Sequence, residues 1–331
     1  MSNKNELNGN IRDTITPESR KRRANTDKFF RTLFLIAGII SAIMIIVIFV
    51  FVGSKGIAPF LPNYPQGSPD VNQQQNIVEF LTGDTWRPDQ NPPVYGVGFI
   101  VINTLITAFL AALLSFPVSV LSALFIVKVS PKKLRPVFTT IVELLAAIPS
   151  VVYGVFAAAN LTTLVSNIAG LFGQQTHGGL ATLTVALLLA IMIYPTITSI
   201  SITAIAAVDK NLELGSLALG ASKTQTNFKV VLTAAKSGIF AGLILGLGRA
   251  FGEATAVSMV AGNAMTGPSW NLFDTTRTLT STMLSGLHET AGLDYDIRFS
   301  VGIVLMIIVL LTNLAIQIVK RKVGGMGREC S

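Results

Sequence analysis

The chain of 331 residues has one cysteine, Cys330, and two histidines, His177 and His288. A single cysteine excludes an intrachain disulfide and a cysteine-built zinc site. Two histidines this far apart in the chain do not make a His-built metal centre. Charge is also scarce. Only 13% of residues are Asp, Glu, Lys or Arg, about half the density of a soluble domain, which is roughly 25%. That composition excludes an ordinary cytosolic enzyme. Half of the chain is hydrophobic, which excludes disorder, since disorder needs low hydrophobicity and high net charge. There is no Gly-x-x-x-x-Gly-Lys-Ser/Thr phosphate loop, so this chain does not bind ATP in that way. Nor is there a Ser/His/Asp set, a His-Glu-x-x-His motif or an acidic metal cluster. An intramembrane hydrolase would therefore have no catalytic group to use.

What is present is a series of long runs without charge. They cover Thr32 to Ser54, Gln90 to Val127, Leu144 to Val208 and Phe299 to Val319. A membrane helix needs about 20 apolar residues, so the third run suits two spans. Its middle holds the break, with Gly170, Gly173, Gln174, Gln175, Gly178 and Gly179. A further apolar segment from Ser237 to Gly262 contains only Arg249 and Glu253 as charges. These runs predict six spans, near 30–53, 97–127, 137–165, 180–206, 234–262 and 297–319. The expected fold class is an all-α integral membrane bundle, because open sheet edges cannot sit in lipid.

Orientation follows from the basic residues. With both termini on one side, that side carries 20 Lys and Arg and the opposite side 4. The positive-inside rule then places both termini in the cytoplasm. Arg20-Lys21-Arg22-Arg23 reads as a retention signal beside the first span rather than a nucleic-acid site. The first span is too long for a signal-peptide core and reads as an uncleaved anchor. The organisation is thus a cytoplasmic tail (1–29), a first helix with a long outer loop (30–96), a five-helix domain (97–319) and a cytoplasmic tail (320–331). The outer loop is either a loose connector or a docking surface for an external partner, and the acidic segment 263–298 could share that task. Asn76 to Leu81 forms one short surface helix stopped by Gly83.

Between spans four and five lies a polar stretch, Asp209-Lys210-Asn211-Leu212-Glu213-Leu214-Gly215-Ser216-Leu217-Ala218-Leu219-Gly220. Its residues favour a helix up to Gly220, a natural terminator. Leu212, Gly215, Ser216 and Leu219 share one face by the i, i+3, i+4, i+7 rule. Such a helix either inserts into a cleft on another protein or rests on lipid headgroups. The stretch resembles the EAA loop of ABC-importer permeases, with Gly220 at that pattern's glycine. Leu214 stands where the family commonly has Glu, Glu213 lies one residue off, and Gly215-Ser216 replaces the Ala pair. Glu143-Leu144-Leu145-Ala146-Ala147-Ile148-Pro149-Ser150 and Gly246-Leu247-Gly248-Arg249-Ala250-Phe251-Gly252-Glu253 are similar to segments of Pst-type phosphate permeases. Ala-Val after the Arg/Glu motif looks more like the PstC type of subunit.

The resemblance implies a type I ABC importer permease fold and a role in ATP-driven phosphate import. It also implies partners: a second, PstA-like permease, two PstB-like ATPase subunits and a PstS-like phosphate-binding protein. ATP and Mg would sit on the ATPase subunits, with no cofactor on this chain. Leu212, Glu213, Gly215, Ser216, Leu219 and Gly220 would couple to the ATPases. The alternatives are a permease for another oxyanion or small solute, or a secondary transporter.

Arg249 falls near the middle of span five, where an arginine costs about 2.5–3.5 kcal/mol on insertion scales. Glu253 at i+4 can meet it on one helix face. The two either neutralise each other or line a substrate path, in which Arg249 meets an anion through its planar fork. Glu143, near the start of span three, is either a path residue or structural. Gly238, Gly242 and Gly246, and also Gly248 and Gly252, are spaced by four, which permits close helix approach. Pro117, Pro149 and Pro195 are either kinks that shape a path or ordinary membrane prolines.

Overall fold

A computed structural model describes residues 17–62, 64 and 73–325. Cys330 and residues 1–16 lie outside the described residues. The chain divides into two compact units, Met1–Ser54 and Lys55–Ser331. The first is, in its described part, the bulk of helix α1 (Pro17–Ile57). That helix is longer than the expected 30–53 because charged helix formers precede its apolar run.

The second unit opens with α2 (Ile77–Thr82), whose Asn76 side chain accepts from the Val78 amide at 2.9 Å. This is the short helix expected there, and Gly83 ends it. A two-stranded hairpin follows, β1 (Trp86–Arg87) and β2 (Val94–Tyr95), pairing Trp86 with Tyr95. Then come α3 (Gly98–Leu124), α4 (Arg135–Ala147), α5 (Ser150–Phe156), α6 (Thr162–Leu171) and α7 (Thr182–Ala206). The chain continues through α8 (Lys210–Ala218), α9 (Lys223–Gln225), α10 (Leu232–Gly252), α11 (Thr255–Val260), α12 (Leu279–Leu284) and α13 (Leu293–Gly325). Six stretches among the described residues are long and apolar enough to cross a membrane: Thr26–Phe60, Gly98–Val129, Ser150–Leu171, Thr182–Ala206, Lys223–Gly252 and Leu293–Ile318.

The count of six holds, but spans three and five also differ from expectation. Span three crosses as Ser150–Leu171 rather than 137–165, because the chain breaks at Ile148-Pro149. Proline has no amide hydrogen, so the Leu145 carbonyl loses its helical donor. The Tyr153 hydroxyl supplies the replacement at 2.8 Å. Span five ends at Gly252, and a separate short helix, α11, follows.

Helix α7 is the axis of the bundle. It packs against α3, α4 and α10. Its first amides have no helical partners, so Thr182 and Leu183 donate to the carbonyls of Asp274 and Leu272, both at 2.9 Å. Around it lies a core of Ala108, Ala111, Leu188, Ile193, Leu247 and Phe251.

The two ends of the bundle differ in character. At one end the segments 73–97 and 261–292 interlock. Trp86 donates to the Met265 carbonyl at 2.8 Å, and Gly267 to the Asp84 carbonyl at 2.9 Å. Trp86, Tyr95, Phe99, Leu279 and Ile297 form their shared core. Tyr64 donates to Asp296 at 2.9 Å, and Lys55 meets the same carboxylate at 3.4 Å. Burial, reinforced by that carboxylate, pushes the Tyr64 hydroxyl up, which keeps it a donor. The described part of the loop 54–96 is thus a built cap rather than a loose connector. The opposite end carries Lys128, Lys132, Lys133, Lys210 and Lys223 and is the basic end.

Candidate functional site

The breaks in spans three and five come together. Helix α11, after the second break, packs on α5, after the first. Gly154 permits this, since a Cβ there would lie 3.0 Å from the Ala256 Cα. Irregular backbone at membrane depth is tolerated where it is buried in protein or lines a path.

Arg249 sits in the last turn of α10, just before the second break. The expectation of a mid-helix arginine is therefore corrected. The negative end of the helix dipole favours a cation in this turn. Its Nη1 donates to the Thr196 hydroxyl on α7 at 3.2 Å. Glu253 does not pair with it. The break turns Glu253 out of the helix, with an extended backbone at ψ 116°. Its Oε1 accepts from the Ala256 amide at 3.0 Å, capping α11. Its carbonyl accepts from Thr280 at 2.7 Å. The i, i+4 pairing fails because it presumes a helix that stops at Gly252.

The result is a half-buried guanidinium beside a helix discontinuity, oriented by a hydroxyl and not neutralised by the nearby carboxylate. Such a group can bind an oxyanion through parallel N–H donors. A neighbouring cavity of about 340 Å³ runs between Ser115, Leu145, Tyr153, Ile191 and Tyr194. Its walls are mainly apolar, and Arg249 is not among them. Glu143 is exposed on α4, ahead of the first break, and the structure does not bring it to Arg249.

At the basic end, α8 is the helix expected between spans four and five. Asp209 caps its start by accepting from the Asn211 amide at 2.9 Å. Gly220 follows its end with φ +86°. The Gly220 amide donates to Leu217 and that of Ala221 to Ser216, the paired bonds of a Schellman terminus. Leu212, Gly215 and Leu219 are exposed, Leu219 to 91%. Ser216 departs from that face. Its hydroxyl meets that of Thr226 at 2.9 Å. Glu213 also turns inward and pairs with Lys128.

Residues 115–324 match the family described as the binding-protein-dependent transport system inner membrane component. The chain belongs to this family. This permease is 36% identical over 301 residues to the probable ABC transporter permease protein YqgH of Bacillus subtilis, covering 90% of this chain and 92% of that one. It is 32% identical over 263 residues to the phosphate transport system permease protein PstC of Pasteurella multocida, covering 74% and 81%. It is also 32% identical over 281 residues to PstC 1 of Mycobacterium tuberculosis, covering 75% and 83%. Among solved structures it resembles a bacterial alginate ABC transporter, bound to its alginate pentasaccharide-loaded periplasmic protein. There the TM-score is 0.59 at 18% identity, covering 90% of this chain and 97% of that one. The methionine ABC transporter MetNI gives 0.50 at 19% identity, covering 68% and 94%. The fold is thus that of a type I ABC importer permease, and the permease is a transport component in the membrane.

Reading the sequence missed Thr196, Lys128 and Thr226. Each acts through a partner 53, 85 or 10 residues away in the chain, and no local pattern marks them. It also missed two arginines that staple the capped end of the permease. Arg277, 7% exposed, donates to the Asn263 and Ala264 carbonyls, both at 2.8 Å. Burial, with a lesser contribution from the Arg298 charge, pushes the Arg277 guanidinium down to about 10. Arg298 donates to the Thr282 carbonyl at 2.8 Å and pairs with Asp294 at 3.3 Å.

The capping role of Glu253 gives a distinct expectation. Glu253→Gln keeps an acceptor oxygen and should leave the thermal midpoint of the detergent-solubilised permease nearly unchanged. Glu253→Ala removes the acceptor for the Ala256 amide and should cost about 0.5–2 kcal/mol. Equal midpoints for the two variants would count against the cap.

Proposed function

We propose that the chain is the PstC-type permease subunit of an ATP-driven importer for inorganic phosphate. The observation that carries this is Arg249, a guanidinium at a helix break, held by Thr196 and left unpaired by Glu253. The PstC names of several relatives point to the same substrate. Phosphate would meet the donors of Arg249 that Thr196 does not use, along a path completed by a second, PstA-like permease. Glu253 shapes this path by fixing the break beside Arg249. Glu143 lies apart from it and is assigned a structural role.

The basic end faces the cytoplasm, in keeping with the positive-inside rule, since counting the sequence with both termini on one side gives 20 Lys and Arg against 4. Both termini then lie inside. Helix α8 presents Leu212, Gly215 and Leu219 to PstB-like ATPase subunits, and Gly220 sets where that helix stops. ATP and Mg belong to those subunits, and this chain supplies no catalytic group. The interlocked cap at the outer end offers a surface for a PstS-like phosphate-binding protein.

The test is uptake of labelled phosphate into vesicles holding this chain with its candidate partners and ATP on the ATPase side. Excess unlabelled phosphate should abolish the signal, whereas sulfate and molybdate should not. Equal competition by molybdate or sulfate would leave an oxyanion permease and remove phosphate.

A further inference from the structure

Helix α8 is held on the bundle by two polar contacts from one of its faces. Glu213 pairs with Lys128, and Ser216, three residues on, meets Thr226. The first contact is largely shielded, with side-chain exposures of 15% for Lys128 and 22% for Glu213. No residue of α8 itself is buried in an apolar core, so these bonds add to its packing against the Thr226–Val231 turn in holding it on the bundle. Their far ends share a feature. Lys128 lies in the π-turn Phe125–Val129 that ends α3, and Thr226 opens the π-turn Thr226–Val231 that leads into α10. A π-turn carries an extra residue and is frequent at functional sites.

We propose that Lys128 is a positioning residue which, through Glu213, locks α8 to α3, while Ser216 and Thr226 lock it to α10. The inference rests on the reading that α8 receives the ATPase stroke. It assigns Glu213 an internal role in place of contact with the ATPase. A stroke on α8 then moves both helices that flank α7. Helix α10 is 21 residues long, roughly 31 Å at 1.5 Å per residue, and bears Arg249 at its other end. A pull at Thr226 therefore reaches the Arg249–Thr196 contact as a rigid-body shift of α10 along α7. Without the Lys128 lock, α8 can rock on the Ser216–Thr226 contact alone, and ATP is hydrolysed without moving α3.

The test uses the full complex in vesicles and reads phosphate taken up per ATP hydrolysed. Lys128→Gln should lower that ratio roughly ten-fold, within the usual range of coupling between sites. Its ATPase activity should persist, and its melting temperature should stay within a few degrees of wild type, the shift a single lost contact produces in a chain of this size. Lys128→Arg keeps the charge and should retain the ratio. The swapped pair, Lys128→Glu with Glu213→Lys, should recover it to within a few-fold, as a double-mutant cycle requires of a direct contact. A Lys128→Gln variant with an unchanged ratio, or a swap no better than either single variant, would overturn the lock. A wild-type complex with no ATP-driven phosphate uptake would instead remove the phosphate-importer reading on which the lock depends.

Discussion

Replacing Arg249 with alanine should cut phosphate uptake by roughly 10- to 100-fold, the loss expected when a charged hydrogen-bonding partner worth about 1.5–3 kcal/mol is removed. The same change should leave stability unchanged or raise it. A charge at membrane depth is costly, by about 2.5–3.5 kcal/mol on insertion scales. The structure offsets only part of that cost. The C-terminal dipole of α10 contributes about 0.3–1 kcal/mol, and Thr196 supplies one hydrogen bond. No carboxylate neutralises the group among the described residues, since Glu253 is engaged with the Ala256 amide. The fold therefore does not depend on Arg249, and uptake should fall while the melting temperature does not. Arg249→Lys keeps the charge but loses the planar fork, so it should fall between wild type and alanine. Parallel losses of uptake and melting temperature in the alanine variant would mark Arg249 as structural. Unchanged uptake would remove it from the path.

Much of this architecture is legible in the sequence, for definite physical reasons. The six spans show because lipid excludes charge, so five follow from the charge-free runs and one from an apolar segment broken only by Arg249 and Glu253. Gly220 shows because a helix that ends in a left-handed residue favours glycine there. The break in span three is half-visible. Pro149 announces a lost amide, but the compensating hydroxyl of Tyr153 becomes apparent only in three dimensions. The break after Gly252 is hidden, because Glu253 is a good helix former and fits an i, i+4 pattern with Arg249. Its true partners, the Ala256 amide and Thr280, depend on a fold-back that composition does not encode. The cap is half-visible for a similar reason. Its Pro, Asn and Gln content fits a loose connector as well as a docking surface, whereas its order comes from cross-links such as Trp86 to Met265. Lys128 looks like an ordinary solvated charge, and Glu213 like a coupling residue, until the chain brings them together.

A large structural effect should come from Gly238. A Cβ at this position would stand 2.4 Å from the Ala204 Cβ on α7, a rigid atom that cannot swing aside. Gly242 and Gly246 continue the same face, against Ile200 and Ile197. The spacing by four therefore lets α10 approach α7 closely, as small residues do where two membrane helices meet. That approach is also what lets Arg249 on α10 reach Thr196 on α7. Gly238→Val should destabilise the fold by about 1–3 kcal/mol or more, the usual cost of overpacking. It should reduce uptake even though the residue lies more than two helical turns from Arg249. Gly248, on the same helix and with the same spacing to Gly252, provides the control. Nothing lies within 4 Å of a Cβ built there, so Gly248→Ala should be neutral or stabilising by about 0.5–1 kcal/mol through the helix preference of alanine. Melting temperatures of the two variants in detergent decide the matter. If both fall together, the glycines serve backbone flexibility along the whole helix. If only Gly238→Val falls, the glycines facing α7 are a contact surface, and Arg249 depends on it for its place beside Thr196.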